Sequence, residues 1–135
     1  MPIERLNIPG LPEPQGFVHI AVASGSRVVF LAGQVAQNGL GELVGAGDLA
    51  AQMEQALVNV AAGLEAAGAT VADVAKTTLY VVDWDESKLE QLFAGFARAS
   101  ERIGAASSAP VTLIPVPRLF EAGHLVEVEV TAVLP

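Results

Sequence analysis

Ala109–Pro135, APVTLIPVPRLFEAGHLVEVEVTAVLP, is the stretch that decides how this chain folds. Two runs rich in β-branched residues, Val111 to Val116 and His124 to Val133, predict strands, with Pro117, Glu121 and Gly123 marking the connection between them. Along the second run, period-two alternation puts Val126, Val128 and Val130 on one face, and Leu125, Glu127, Glu129 and Thr131 on the other. The valine face is expected to meet helices, leaving the carboxylate face open. On a strand, the Cα atoms of Glu127 and Glu129 are about 6.5–7 Å apart. At that spacing they interact if a neighbour covers the face, which suits general acid–base work. The plainer alternative is an exposed face that both carboxylates merely wet.

Upstream, Phe17 to Ala23 and Arg27 to Val35 read as two strands joined through Ser24-Gly25-Ser26, a predicted hairpin. Asp48 is a candidate N-cap for a helix running to about Ala67, with Leu49, Met53, Ala56, Leu57, Val60 and Leu64 as its buried stripe. Gln52, Gln55 and Asn59 fall outside that stripe. Val74 to Asp83 predicts a third strand, and Asp85 caps a second helix to Ile103 with Leu89, Leu92, Phe93, Phe96 and Ile103 inward. The order is ββαβαββ: an α+β domain with two helices on one face of a sheet. The second strand is apolar on both faces, and two helices cover only one. A second copy of the chain is therefore expected on the other, and interfaces between copies make natural clefts.

At 135 residues, 52% hydrophobic, with 13 Gly and a mean hydropathy of +0.48, a single domain over residues 1–135 is expected. The most apolar stretch, Ala56 to Ala75, is interrupted by Asn59, Glu65 and Asp73, so no membrane span is expected. MPIERLNIPGLPEPQG carries four prolines in its first sixteen residues and reads as an extended arm over residues 1–15, not as a signal peptide. The expected location is the cytoplasm. Without cysteine there is no thiolate metal site and no cysteine nucleophile. A net charge of −8, with seven scattered basic residues, offers no footprint for nucleic acid, and small molecules are the expected partners.

The other candidate groups are few. His19 is a candidate proton shuttle, although a lone strand histidine is more often structural. Arg118, among prolines, is a candidate to meet a ligand carboxylate. His124 has the opposite parity to Glu127, so the two do not form a metal pair on a regular strand, and no metal is expected. Gly39 to Gly47 lacks the spacing of a phosphate loop. Ser107, Ser108 and Thr112 have no hydrolase context.

Ala32-Gly33-Gln34-Val35, Gln52 to Gly68, Asp73 to Asp83 and VEVEVTAV from Val126 together resemble the YjgF/RidA family, also called the L-PSP endoribonuclease-like family. The resemblance implies a chorismate-mutase-like fold and a homotrimer with a central barrel and three clefts between subunits. It implies cofactor-free hydrolysis of 2-imino acids, formed from enamines, to 2-oxo acids and ammonia. Glu127 matches the glutamate placed near the attacking water. Phe17 or His19 stands where the family has a tyrosine, Ala32 where it has a serine, and Gly33 in its Gly-Gln pair. Val111 stands where the arginine that binds the substrate carboxylate is expected. The reading is thus a deaminase-like trimer taking a small imine, enamine or carbonyl compound. Glu127 and His19 would be catalytic, and Phe17, Ala32, Gly33, Val111 and Arg118 would line the cleft. A non-catalytic binding or regulatory trimer is the alternative, and the net charge opposes a ribonuclease.

Overall fold

The structure, a computed structural model, describes residues 3–135. Strands β1 (Ile3–Leu6), β2 (Ile20–Ala23) and β3 (Arg27–Phe30) precede helix α1 (Leu49–Ala66). Strand β4 (Val74–Val82), helix α2 (Leu89–Ile103) and strands β5 (Val111–Val116) and β6 (Val126–Leu134) follow. A four-stranded sheet runs β3-β6-β4-β5, and a two-stranded sheet pairs β1 with β2. Strands β4 and β5 are parallel and joined through α2, as parallel neighbours require a long crossover. The β6 strand lies antiparallel between β3 and β4. Among the described residues no helix is long and apolar enough to cross a membrane.

The core lies between the helices and one face of this sheet. Val126, Val128 and Val130 are buried there with Leu79, Val81, Met53, Ala56, Val60 and Leu64, as the alternation and the helical stripe require. A bulge between Val74 and Lys76 resets the alternation of β4, so that Val74 and Thr77 are both buried. The two helices approach closely at Gly95, where an added Cβ would lie 2.6 Å from Met53 Cβ. Val28 and Phe30 are 54% and 80% exposed on the opposite face, which stays uncovered in the single chain.

Three local expectations are corrected. The segments around Ser24-Gly25-Ser26 do not form a hairpin: β2 pairs with β1, and β3 pairs with β6. The turn itself is anchored to the end of β6, Ser26 donating from its backbone to Leu134 O (3.0 Å) and from its hydroxyl to the Pro135 carbonyl (2.8 Å). An extra strand within the N-terminal arm thus partners β2. Gln52, placed outside the stripe on polarity, is fully buried. Its amide donates to the carbonyls of Gly45 (3.1 Å) and Gly123 (3.0 Å), and its Oε1 accepts from Leu125 N (2.8 Å). Asn59 acts similarly, donating to Val35 O and Gln37 O at 3.0 Å each. Lastly, Asp85 caps a 3₁₀ turn, Glu86–Lys88, that leads into α2. Both amides hold loops that flank functional candidates, a role that helical periodicity does not encode.

Candidate functional site

Glu127 and Glu129 emerge side by side from the open face of β6, beside Tyr80 of β4. Tyr80 stands opposite Glu127 in register and reaches diagonally to Glu129, its hydroxyl donating to Oε1 at 3.0 Å. Together with Arg118, Leu119 and Phe120 these residues line an open depression of about 550 Å³. Arg118 faces two carboxylates without an ion pair; among the described residues the salt bridge is Arg102–Glu54. Its Nε donates to Leu119 O (3.0 Å) and its Nη2 to Phe120 O (3.1 Å), so much of its donor fork is occupied in shaping its own loop.

Gly33 makes room for the Glu127 carboxylate. Gln34 exchanges backbone hydrogen bonds with Val128, at 2.8 and 2.9 Å, which brings Gly33 against the Glu127 side chain. A methyl group there would overlap Glu127 Oε1 and lie 2.8 Å from its Cδ. Gly33→Ala is therefore expected to displace the carboxylate while sparing the core. Any turnover that depends on Glu127 should drop at least about tenfold, with the unfolding midpoint within a few degrees of the parent. Parallel kinetics and thermal melts check this, and unchanged turnover would count against a role for the Gly33 notch.

The Tyr80–Glu129 hydrogen bond raises the Tyr80 pKa above its ordinary value, with loss of hydration and the nearby charges of Glu129 and Glu127 adding to it. A raised phenol pKa favours the protonated form in the folded state. Its contribution to stability is complete below about pH 10 and is lost as pH rises through the folded value. Tyr80 is the chain's single tyrosine, so the absorbance of tyrosinate reports it alone. Its midpoint should lie above that of free tyrosine and fall in Glu129→Gln.

A second feature lies on the helix side of the sheet. A cavity of about 320 Å³ opens between β5, α2 and the segment Gln15–Phe17, with Phe17, Phe93, Phe96, Val111 and Leu113 on its wall. No charged side chain lines it. The structure thus joins Phe17 with Val111 in this cavity, and Glu127 with Gly33 and Arg118 across the sheet. His19 and Ala32 line neither feature. Ala32 is exposed, and its carbonyl accepts from Gln34 Nε2 at 3.0 Å. His19 ties down the arm: its Nδ1 accepts from Ile8 N (3.0 Å), its backbone N–H donates to Asn7 Oδ1 (3.1 Å), and its ring stands edge-on to Phe17. Sequence reasoning missed Tyr80, Phe93 and Leu113. The alternation of β4 holds the signal for Tyr80, but only once β4 and β6 are known to be neighbours.

The domain is thus α+β, with carboxylates on an uncovered sheet face and an apolar cavity behind its edge strand. The Endoribonuclease L-PSP family model matches residues 11–134, and the chain belongs to that family. It is 37% identical over 87 residues to a RutC family protein of Pyrococcus horikoshii, covering 63% of this chain and 68% of that protein. A Yersinia pestis protein of the Rid family, YyfB, is 36% identical with a TM-score of 0.87, covering 99% of this chain and 100% of that one. Escherichia coli TdcF, solved with bound serine, is 28% identical with a TM-score of 0.68 and 98% of both chains covered.

Proposed function

We propose that this protein is a cofactor-independent hydrolase of C=N bonds, acting on a small imine or enamine in a cleft between the subunits of a homotrimer. The observation that carries the proposal is the Glu127 carboxylate seated in the Gly33 notch. It accepts no hydrogen bond from the described residues and so is free for water or ligand. In this reading Glu127 takes a proton from water as the water oxygen attacks the C=N carbon, and passes that proton to the nitrogen. The tetrahedral adduct then collapses: Glu127 takes the hydroxyl proton and returns it to the nitrogen, the C–N bond breaks, the carbonyl forms and ammonia leaves. An enamine enters the same course after protonation at carbon. His19, whose Nδ1 accepts from Ile8, has its Nε2–H left to hydrogen-bond the substrate nitrogen or the water from the arm, holding it in place without transferring a proton. The cleft forms where the open face of one copy meets the β5 edge of the next, joining Glu127 of one with the Phe17–Val111 cavity of the other.

Val111 favours a second reading, a binding or regulatory trimer, because it provides neither the charge nor the donors that hold a substrate carboxylate. The two readings separate on ammonia release from enzymatically generated 2-iminobutyrate. The parent is expected to be slow, and Val111→Arg to gain at least about tenfold in kcat/KM. No gain in the variant would argue that Val111 does not face the substrate acid. Failure of the parent to release ammonia from uncharged imines would favour binding alone.

A further inference from the structure

We infer that the cavity behind β5 is a binding site for an uncharged aromatic compound of bicyclic size, and that it discriminates against carboxylates. This rests on the proposed function only in taking the cavity as the ligand-side half of the cleft. Binding is measurable without turnover.

Protein interiors are close-packed, and voids larger than a water molecule are few. A space of about 320 Å³ beside the core is thus a feature to be explained. It is about twice the volume of an apolar cavity that stays dry and takes up benzene, roughly 150 Å³. It falls in the lower range of small-molecule pockets, about 300–1,000 Å³. Phe17, Phe93 and Phe96 offer ring edges and faces to a planar guest, while Met53 adapts to its outline. The hydroxyls of Thr77 and Ser107 and the Gln15 amide are the polar side-chain groups on the wall, enough to meet one N–H or C=O. A carboxylate would find no cation there, and Arg118 lies with Glu127 on the opposite face of the sheet. Leu89 and Phe93, each 44% exposed, leave apolar surface at the mouth, and Gly16 lies with its Cα hydrogens toward Phe93.

The test is calorimetric titration of the intact protein with indole and, separately, with indole-3-acetate. Indole is expected to saturate one site per chain with Kd below about 1 mM, and indole-3-acetate to bind at least about tenfold more weakly. Leu113→Trp, which fills the cavity, and Leu89→Trp, which blocks its mouth at an exposed position, should each weaken indole at least tenfold. Either variant suffices if the other fails to fold. No saturable indole binding by the parent would overturn the inference. So would equal or tighter binding of the acetate, or parental indole affinity in a folded tryptophan variant. Loss of ammonia release with indole binding intact would instead strike the catalytic reading alone.

Discussion

Glu127→Gln is expected to lower kcat/KM for an uncharged imine by about 10²–10⁴, the range in which a positioned general base contributes. The amide keeps the shape of the carboxylate and fits the same Gly33 notch, but it does not accept a proton from water. Stability should hardly change, because Glu127 is half-buried at the sheet surface and accepts no hydrogen bond from the described residues. The melting curve of the variant should overlay that of the parent. Glu129→Gln, which instead removes the charge of the acceptor of the Tyr80 bond, should affect turnover much less. Equal losses in the two variants would mean that the pair acts as a charge cluster and that Glu127 has no distinct role.

Gln52→Leu is expected to destabilise the fold by roughly 2–4 kcal/mol, since it leaves the Gly123 carbonyl and the Leu125 N–H without their partner and the Gly45 carbonyl with only the Asp48 N–H. Leucine has nearly the right volume, so the loss reports the hydrogen bonds more than a cavity. For a chain of this length the melting midpoint should fall on the order of 10–20 °C, and urea denaturation should show the same loss without a change in slope. The effect should reach the site, because Gln52 holds Gly123 and Leu125 at the entry to β6, immediately before Glu127. A fall of less than about 1 kcal/mol would show that water or a neighbouring group replaces the amide.

The sequence carried the architecture where periodicity is strong. The alternation of β6 told which face of Val126 to Val130 is buried, and the stripe from Leu49 to Leu64 told which face of α1 meets it. Pairing was harder to read, because strand propensity is local while the partner of β3 is more than a hundred residues away in β6. A turn signal such as Ser24-Gly25-Ser26 specifies a change of direction, not which strand receives the chain afterwards. Buried polar residues were also hidden: Gln52 is inside because three backbone groups of two loops converge on it, which no spacing rule reveals.

The candidate site divides the same way. The alternation put Glu127 on the open face of β6, where it lies, whereas its proposed role and the reading of Val111 as a missing cation come from the resemblance. The cavity that Val111 helps to line was not legible, since its volume arises from the distance between β5, α2 and the arm. Tyr80 became a neighbour of the carboxylates only through the register that sets it opposite Glu127. The structure also separates what the sequence had grouped: Phe17 and Val111 lie behind the sheet, and Glu127 and Arg118 in front. A single chain thus keeps the two groups apart, and the proposed chemistry takes them from two copies.

The central claim is that Glu127 drives hydrolysis of an uncharged C=N substrate, and one comparison tests it most directly. Ammonia release is followed in the parent with a matched pair, an uncharged aromatic imine and its carboxylated counterpart, and repeated in Glu127→Gln. A kcat/KM at least about tenfold higher for the uncharged imine, lost in the variant, is the predicted result. Preference for the carboxylated imine, or equal release by parent and variant, would contradict it.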